Sequence, residues 1–249
     1  MTGSRLRWTI VALALALLAS CDSAPGRPVK GSEAPAPSEV VDFHALYAAN
    51  CAGCHGSEGR GGAAVGLANP VYLAIADDTA IRKAVAGGVH GTAMPAFAQS
   101  AGGMLTDAQV AAITTGIRSW SRPGTLDGVR APSYAATTTG DVHRGEAAFG
   151  TYCASCHGTR GEGGPKGSAI ANDSFLALIS DQGLRTVAIT GRPDLGAPDW
   201  RGNVPGRPMS DEEITDVVAW LASRRVESPG QPYVAPSETP ARSASNDAR

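Results

Sequence analysis

The pattern C-x-x-C-H occurs twice in this chain of 249 residues, beginning at Cys51 and at Cys153. The two copies contain four of the five cysteines. Two thiols at this spacing can add to the two vinyl groups on one edge of a haem, and a histidine directly after the second thiol can reach the iron. The pattern therefore predicts two covalently bound haem c groups. The predicted haem-binding residues are Cys51, Cys54 and His55 in the first copy and Cys153, Cys156 and His157 in the second.

Other uses of paired cysteines explain the pattern less well. A zinc ion shared by both pairs would not require a histidine directly after each pair. A thioredoxin-like pair needs a βαβ setting, and no stretch of this sequence favours a strand. A disulfide between cysteines three residues apart is unusual. The sequence therefore favours haem attachment over these three alternatives.

The repeat extends well beyond the two motifs. Residues 69–88 (NPVYLAIADDTAIRKAVAGG) align without a gap with residues 172–191 (NDSFLALISDQGLRTVAITG), which indicates two copies of one unit. Residues rich in Pro, Ser and Ala at both ends of the chain are typical of a flexible segment. We therefore expect a signal peptide at 1–20, a flexible tether at 21–39, a first domain at 40–122, a linker at 123–138, a second domain at 139–226 and a disordered tail at 227–249.

Each copy is predicted to consist of helices joined by long loops. Phe43, Leu46 and Tyr47 have helical spacing before the first motif. Capping boxes that begin at Thr106 and Ser210 predict the start of a last helix in each copy. A unit this small has a marginal core of its own, and a buried haem would supply the missing apolar volume.

Each copy resembles a class I cytochrome c domain. The resemblance rests on C-x-x-C-H, on an aromatic residue four positions before its first cysteine (Tyr47, Phe149), on the glycine-rich loop after the histidine, on a later Met-Pro in the first copy and on the capped last helix. It implies an all-α fold of two tandem class I cytochrome c domains, each wrapped around one covalently bound haem. The first and last helices of such a domain cross beside the haem. The family often has a small residue at this crossing; the second copy has Gly145 there, whereas the first has Phe43.

The resemblance also implies a sixth iron ligand for the first haem. Met94, in the sequence Gly-Thr-Ala-Met-Pro, is at the position of the family's ligand methionine, and His90 in the same loop is an alternative. The second copy has Ala197 at this position, in the sequence LGAPDW. Met209 directly precedes the N-cap of the last helix, where it would pack on Ile214 as a hydrophobic staple. We therefore expect the second haem to be five-coordinate or to have a weak sixth ligand, with ligation by Met209 as the alternative.

The N-terminal residues are typical of an exported lipoprotein. Arg5 and Arg7 precede an apolar stretch at 8–18 that is shorter than a membrane-spanning helix requires and has the length typical of a secretory signal. The next residues, which end at Cys21, resemble the bacterial lipobox, in which the cysteine is lipidated after cleavage. We therefore expect a protein anchored through a lipid on Cys21 at the outer, periplasmic face of the cytoplasmic membrane.

Charge and motifs argue against several other functions. Lys and Arg total 21 against 23 Asp and Glu, so the chain lacks the basic field that nucleic-acid binding requires. The glycine-rich loops HGSEGRGG and HGTRGEGG follow no predicted strand and lack the G-K-S/T of a phosphate-binding loop. No group of residues suits acid–base or nucleophilic catalysis, so the chain is predicted not to be an enzyme and to have no small-molecule substrate.

The predicted function is transfer of single electrons between redox proteins. The expected donor is a quinol-oxidising complex or a periplasmic dehydrogenase, and the expected acceptor is a terminal oxidase or another cytochrome. A haem enzyme such as a di-haem peroxidase, or a ligand sensor, is an alternative that would use an open site at the second haem. A fixed subunit of a respiratory complex is another alternative.

Overall fold

A computed structural model describes residues 34–226. The predicted signal peptide, the predicted lipidation site Cys21, most of the predicted tether and the predicted tail lie outside these residues. The chain divides into two compact units, Met1–Val40 and Val41–Arg249. The described residues of the first unit contain a 3-10 helix, Pro37–Glu39, and both C-x-x-C-H motifs lie in the second unit.

The described part of the second unit is helical. Its α-helices are α1 (Phe43–Asn50), α2 (Ala52–His55), α3 (Pro70–Ile75), α4 (Asp78–Gly87), α5 (Asp107–Arg118), α6 (Val142–Tyr152), α7 (Ala154–His157), α8 (Asp173–Leu178), α9 (Asp181–Thr190) and α10 (Asp211–Ala222). Between residues 34 and 226 there are isolated β-bridges but no strand, which confirms the all-α prediction. None of the helices in this range is long and apolar enough to cross a membrane.

The ten helices form two modules with the same order of elements. The first module consists of α1–α5 with their loops, and the second consists of α6–α10 with theirs. In both, a first helix is followed by the short helix of the cysteine motif, two further helices and a last helix. One cluster of buried apolar side chains lies within the first module, and the other is formed by the second module together with Val71 of the first. The repeat seen in the sequence is therefore a repeat of the fold.

Both predicted capping boxes are present. The Thr106 hydroxyl accepts the N–H of Gln109, whose side chain accepts the N–H of Thr106 in return. Ser210 and Glu213 make the same pair of bonds at the start of α10. Each box satisfies N–H groups that the first turn of a helix leaves without partners, so α5 and α10 begin where the sequence predicts.

The first and last helices of each module meet at a glycine, but this glycine is on different helices in the two modules. In the second module a Cβ on Gly145 of α6 would lie 2.0 Å from the carbonyl oxygen of Asp216 and 2.8 Å from the Cβ of Trp220. In the first module a Cβ on Gly116 of α5 would lie 2.0 Å from the ring of Phe43. The aromatic Phe43 is thus accommodated by a glycine on the opposite helix.

The predicted linker is bound by a buried arginine. Arg185 of α9 is 2% exposed and donates to the carbonyl oxygens of Ser133 and Tyr134 at 2.9 and 3.2 Å. Its guanidinium also pairs with Asp211 at 2.5 Å. The ring of Tyr134 lies edge-on to that of Tyr72 in the first module, with 6.4 Å between the centroids. This part of the linker therefore contacts both modules.

Candidate haem sites

The first C-x-x-C-H motif forms α2, directly after α1. Cys51 separates the two helices, and its N–H donates to the carbonyl oxygen of Tyr47 at 2.8 Å. Cys51 and His55 are buried, whereas Cys54 is exposed. The spacing i, i+3, i+4 places the two thiols and the imidazole on the same side of one helical turn. This arrangement allows one haem to contact all three side chains.

In both modules the motif histidine is held by a backbone carbonyl. His55 Nδ1 lies 2.7 Å from the oxygen of Val65, and His157 Nδ1 lies 2.8 Å from the oxygen of Ser168. A carbonyl oxygen can only accept, so Nδ1 carries the proton and Nε2 keeps a lone pair for a metal ion. Burial also lowers the pKa of His55, which favours its neutral form. Such a bond fixes the orientation of a ligand imidazole. Both histidines therefore have the tautomer and the fixed ring orientation that an iron ligand requires.

The four motif cysteines are free thiols, and the first cysteine of each pair has a raised pKa. Burial, and then the neighbouring Cys54, raise the pKa of Cys51 to about 11. Burial, and then Cys156, raise the pKa of Cys153 to about 12. Redox-active C-x-x-C pairs need a lowered pKa, so a thioredoxin-like role is disfavoured.

A shared metal centre between the two cysteine pairs is also disfavoured. Cys51 belongs to the apolar cluster of the first module, and Cys153 packs against that of the second. Within residues 34–226 no three His, Cys, Asp or Glu side chains form a group that could hold a metal ion. The free thiols and the oriented imidazole of each motif instead fit the covalent attachment and ligation of a haem.

The glycine-rich loops fold tightly against the motif helices. A Cβ on Gly56, which has φ +83°, would lie 1.7 Å from the carbonyl oxygen of Arg60. A Cβ on Gly62 would lie 2.2 Å from the carbonyl oxygen of Cys54. Only glycine permits such close approach of two backbone segments. The glycines therefore serve packing around the motif, and no phosphate is needed to explain them.

Met94 lies in a loop between α4 and α5 that hydrogen bonds among residues 89–94 close. The N–H of Val89 donates to the carbonyl oxygen of Met94 at 3.0 Å, and the Thr92 hydroxyl donates to that of Val89 at 2.8 Å. The Thr92 hydroxyl oxygen also accepts the N–H of Met94 at 3.1 Å. Met94 is half-buried, whereas His90 is exposed. Met94 as the sixth ligand of the first haem, with His90 as the alternative, stays a prediction.

The second module has the same loop with alanine in place of methionine. The N–H of Arg192 donates to the carbonyl oxygen of Ala197 at 3.0 Å, as that of Val89 does to Met94. A Cβ on Gly191, which has φ +62°, would lie 2.7 Å from the oxygen of Ala197. Ala197 therefore occupies the backbone position of Met94, and its methyl group has no lone pair to offer an iron ion.

Met209 is enclosed in the core of the second module. It is 3% exposed and belongs to the same apolar cluster as Ile214. Its N–H donates to the carbonyl oxygen of Trp200 at 2.9 Å, and its sulfur lies 3.7 Å from the side-chain nitrogen of Asn203. These contacts give Met209 a packing role at the position predicted for a staple. They support the expectation that it is not an iron ligand.

Two hydroxyl groups at the first site were not predicted from the sequence. The Tyr47 hydroxyl donates to the carbonyl oxygen of Gly56 at 3.0 Å, and burial raises the pKa of Tyr47 to about 12. The second hydroxyl is that of Thr92. The aligned residues of the second copy, Phe149 and Leu195, lack a hydroxyl. A comparison of the two copies position by position would therefore have found both groups.

Comparison with known proteins finds a matching family and a similar solved structure. The family described as cytochrome C oxidase, cbb3-type, subunit III matches residues 39–115 and 140–221, and each segment contains one C-x-x-C-H. No curated protein matches the chain. A chain of the reducing HAO-like protein complex of Kuenenia stuttgartiensis is similar in structure, with 19% identity and a TM-score of 0.40. That likeness covers 78% of the present chain and 100% of the other.

Proposed function

Since the chain belongs to the family of cytochrome C oxidase, cbb3-type, subunit III, we propose that it is a two-haem electron carrier anchored at the outer face of the cytoplasmic membrane. A member of this family is a cytochrome c with covalently bound haem c. Such a protein exchanges electrons with redox-protein partners. The number of haems, the anchor and the identity of the partners belong to the proposal.

One observation carries the proposal of two haems. Each module presents a pair of free thiols next to a histidine whose Nδ1 is held by a backbone carbonyl, Val65 in one module and Ser168 in the other. The same donor set in the same setting indicates the same chemistry at both sites.

The two sites differ in the residue at the sixth-ligand position. Bound haem supplies one-electron chemistry, in which iron alternates between Fe(II) and Fe(III). Met94 offers the first site a thioether, a soft ligand that favours Fe(II), whereas Ala197 offers none. The first site therefore has the higher potential in this proposal, and electrons that enter at the second site move towards the first.

The N-terminal sequence supports the proposed membrane anchor, and the family supports the proposed redox partners. A lipid on Cys21 would hold the chain at the membrane, and residues 22–39 would let it reach more than one partner. A quinol-oxidising complex or a periplasmic dehydrogenase would donate electrons, and a terminal oxidase or another cytochrome would accept them. The family is named after an oxidase subunit, which also supports a fixed place in a terminal oxidase complex.

The number of covalently bound haems tests the proposal. We expect denatured protein to keep its haem colour and to exceed the mass of the processed chain by two haems. The double variant Cys153→Ala/Cys156→Ala should retain one haem, and so should Cys51→Ala/Cys54→Ala. A one-haem mass for the intact chain, or loss of its haem on acid–acetone extraction, would contradict the proposal.

Ala197 also supports a second candidate function. An iron without a protein ligand at its sixth position could bind a small molecule, as in a peroxidase or a ligand sensor. Binding of carbon monoxide to the reduced protein tests for this open position, and turnover of hydrogen peroxide tests for peroxidase activity. Rapid binding without peroxide turnover would favour the carrier or a sensor over an enzyme.

A further inference from the structure

The two modules contact each other through different faces, so the contact is not symmetric. Asn69, at the start of α3, donates through its side-chain nitrogen to the carbonyl oxygen of Thr190 at the end of α9, at 3.0 Å, and both residues are buried. Val71 and Ile75 of α3 also pack with the apolar cluster of the second module. Leu178, the counterpart of Ile75 in the repeat, is 60% exposed. The α3 face of the first module is therefore specifically built for this contact.

A charged fork extends the contact from α3 to the two haem sites. Arg192 and Asp194 form a two-bond ion pair, with nitrogen–oxygen distances of 3.0 and 2.8 Å. The same arginine donates to the carbonyl oxygen of Gly62 in the first module at 2.7 Å. Asp194 accepts the N–H of Gly61 at 3.2 Å. The two charged side chains thus bind each other, and each of them also binds the glycine-rich loop of the first module.

The fork lies in the loop that determines the sixth-ligand position of the second site. Arg192 and Ala197 exchange two backbone hydrogen bonds, each of 3.0 Å. On the other side, Gly62 packs against the backbone of Cys54 and His55, where a Cβ would come within 2.6 Å of the carbonyl carbon of His55. A continuous series of short contacts therefore joins the motif of the first haem to the ligand loop of the second.

Two properties make the fork a firm connection. Its side chains are mostly covered, with 14% of Arg192 and 22% of Asp194 exposed. Hydrogen bonds between charged groups with paired geometry are stronger than neutral ones and fix orientation. Arg192 and the N–H of Gly61 also lower the pKa of Asp194, the arginine having the larger effect, so this carboxylate stays ionised at neutral pH.

We propose that Arg192 and Asp194 are positioning residues that hold the ligand loop of the second haem site against the first haem site, so that electrons pass between the two haems within one molecule. The inference rests on the proposed function, because it requires two haems. One Fe(II) is oxidised as one Fe(III) is reduced, and no bond forms or breaks. Electron exchange depends on the relative position of the two haem sites, and the fork fixes that position.

The test measures electron redistribution within the protein. A light pulse in the presence of a ruthenium bipyridine photoreductant delivers less than one electron per molecule, and the spectra of the two haems are followed in time. In wild type we expect a first-order redistribution whose rate is independent of protein concentration. Arg192→Gln should slow it several-fold, Asp194→Asn should also slow it, and Arg192→Lys should retain part of the rate because it can still bind Gly62.

Arg201→Gln is the matched control. Arg201 forms a similar fork with Asp199, two residues away in the same loop, but its hydrogen bonds stay within the second module. We expect this variant to redistribute electrons at the wild-type rate. Each variant is first shown by mass to carry two haems, and each haem should keep its wild-type absorption bands.

Three outcomes would overturn the inference. The first is a wild-type redistribution that is absent or whose rate rises with protein concentration. The second is a rate in Arg192→Gln and Asp194→Asn equal to that of wild type. The third is a rate that Arg201→Gln slows as much as these two variants do. A one-haem mass would instead refute the proposed function itself, so the two failures are distinguishable.

Discussion

Substitution of two glycines in α6 by alanine should change stability in opposite directions. Both Gly145 and Gly150 lie within Val142–Tyr152. A Cβ on Gly150 would meet no atom within 4 Å. Alanine is favoured over glycine inside a helix by about 0.8–1 kcal/mol. Gly150→Ala should therefore raise the free energy of unfolding by about 1 kcal/mol.

At Gly145 the same added methyl group meets a rigid surface. It would lie 2.0 Å from the carbonyl oxygen of Asp216 and 2.8 Å from the Cβ of Trp220, and neither atom can rotate away. The helices α6 and α10 would have to separate, although Arg144 binds Asp216 at 2.7 Å across the same crossing. Overpacking costs about 1–3 kcal/mol, and more where backbone must move. From a cost of about 3 kcal/mol we subtract the helix gain of about 1 kcal/mol, which leaves a net loss of about 2 kcal/mol.

Thermal and denaturant unfolding measure both effects. One kcal/mol shifts the midpoint of a chain of this size by about 2–4 °C, so Gly145→Ala should lower the midpoint by about 4–8 °C and Gly150→Ala should raise it by about 2–4 °C. Helix content and the haem absorption of the second module should report the same transition. If Gly145→Ala were as stable as wild type, or if both variants shifted in the same direction, the account of the helix crossing would be wrong.

Four further expectations follow from the sites and the module contact. Met94→Ala should lower the potential of one haem only and remove the weak red band of a methionine–Fe(III) bond; a surviving band would indicate another ligand such as His90. Met209→Leu should leave both haem spectra almost unchanged, and loss of a second methionine–Fe(III) band would show that Met209 is a ligand. Cys21→Ser should release the protein from membranes or block its maturation, whereas a wild type that is fully soluble would contradict the anchor. Asn69→Asp keeps the helix cap but removes the donor to Thr190, so it should lower the free energy of unfolding by about 1–3 kcal/mol, while the exposed counterpart Asn172→Asp should change it by less than about 0.5 kcal/mol in a denaturant titration.

Much of the fold was predictable because the relevant signals are local. The caps at Thr106 and Ser210 and the apolar spacing that follows them specify α5 and α10 without reference to the rest of the chain. The C-x-x-C-H motifs likewise contain most of each candidate site within five residues. The backbone equivalence of Ala197 and Met94 was also predictable, because the loop repeats in sequence and in its closing hydrogen bond.

The helix crossing was not predictable from either helix alone. Phe43 by itself indicates a departure from the small residue that Gly145 provides. Only together with Gly116, more than seventy positions later, does it form a complementary pair. The same complementarity joins Gly145 and Trp220 with the two sizes exchanged. Packing depends on the combined volume of the two facing side chains and not on either side chain alone, so a correct prediction requires the pairing as well as the residues.

The contact between modules is harder still to predict, as the two equivalent asparagines show. Asn69 and Asn172 both cap a helix, and in each case the side-chain oxygen accepts two backbone N–H groups. This role leaves both side-chain nitrogens available as donors. Only Asn69 is buried by the neighbouring module, and a buried donor requires an acceptor, which Thr190 provides. The cap is therefore a property of the local sequence, whereas the bond between modules depends on a second surface that an isolated repeat does not reveal.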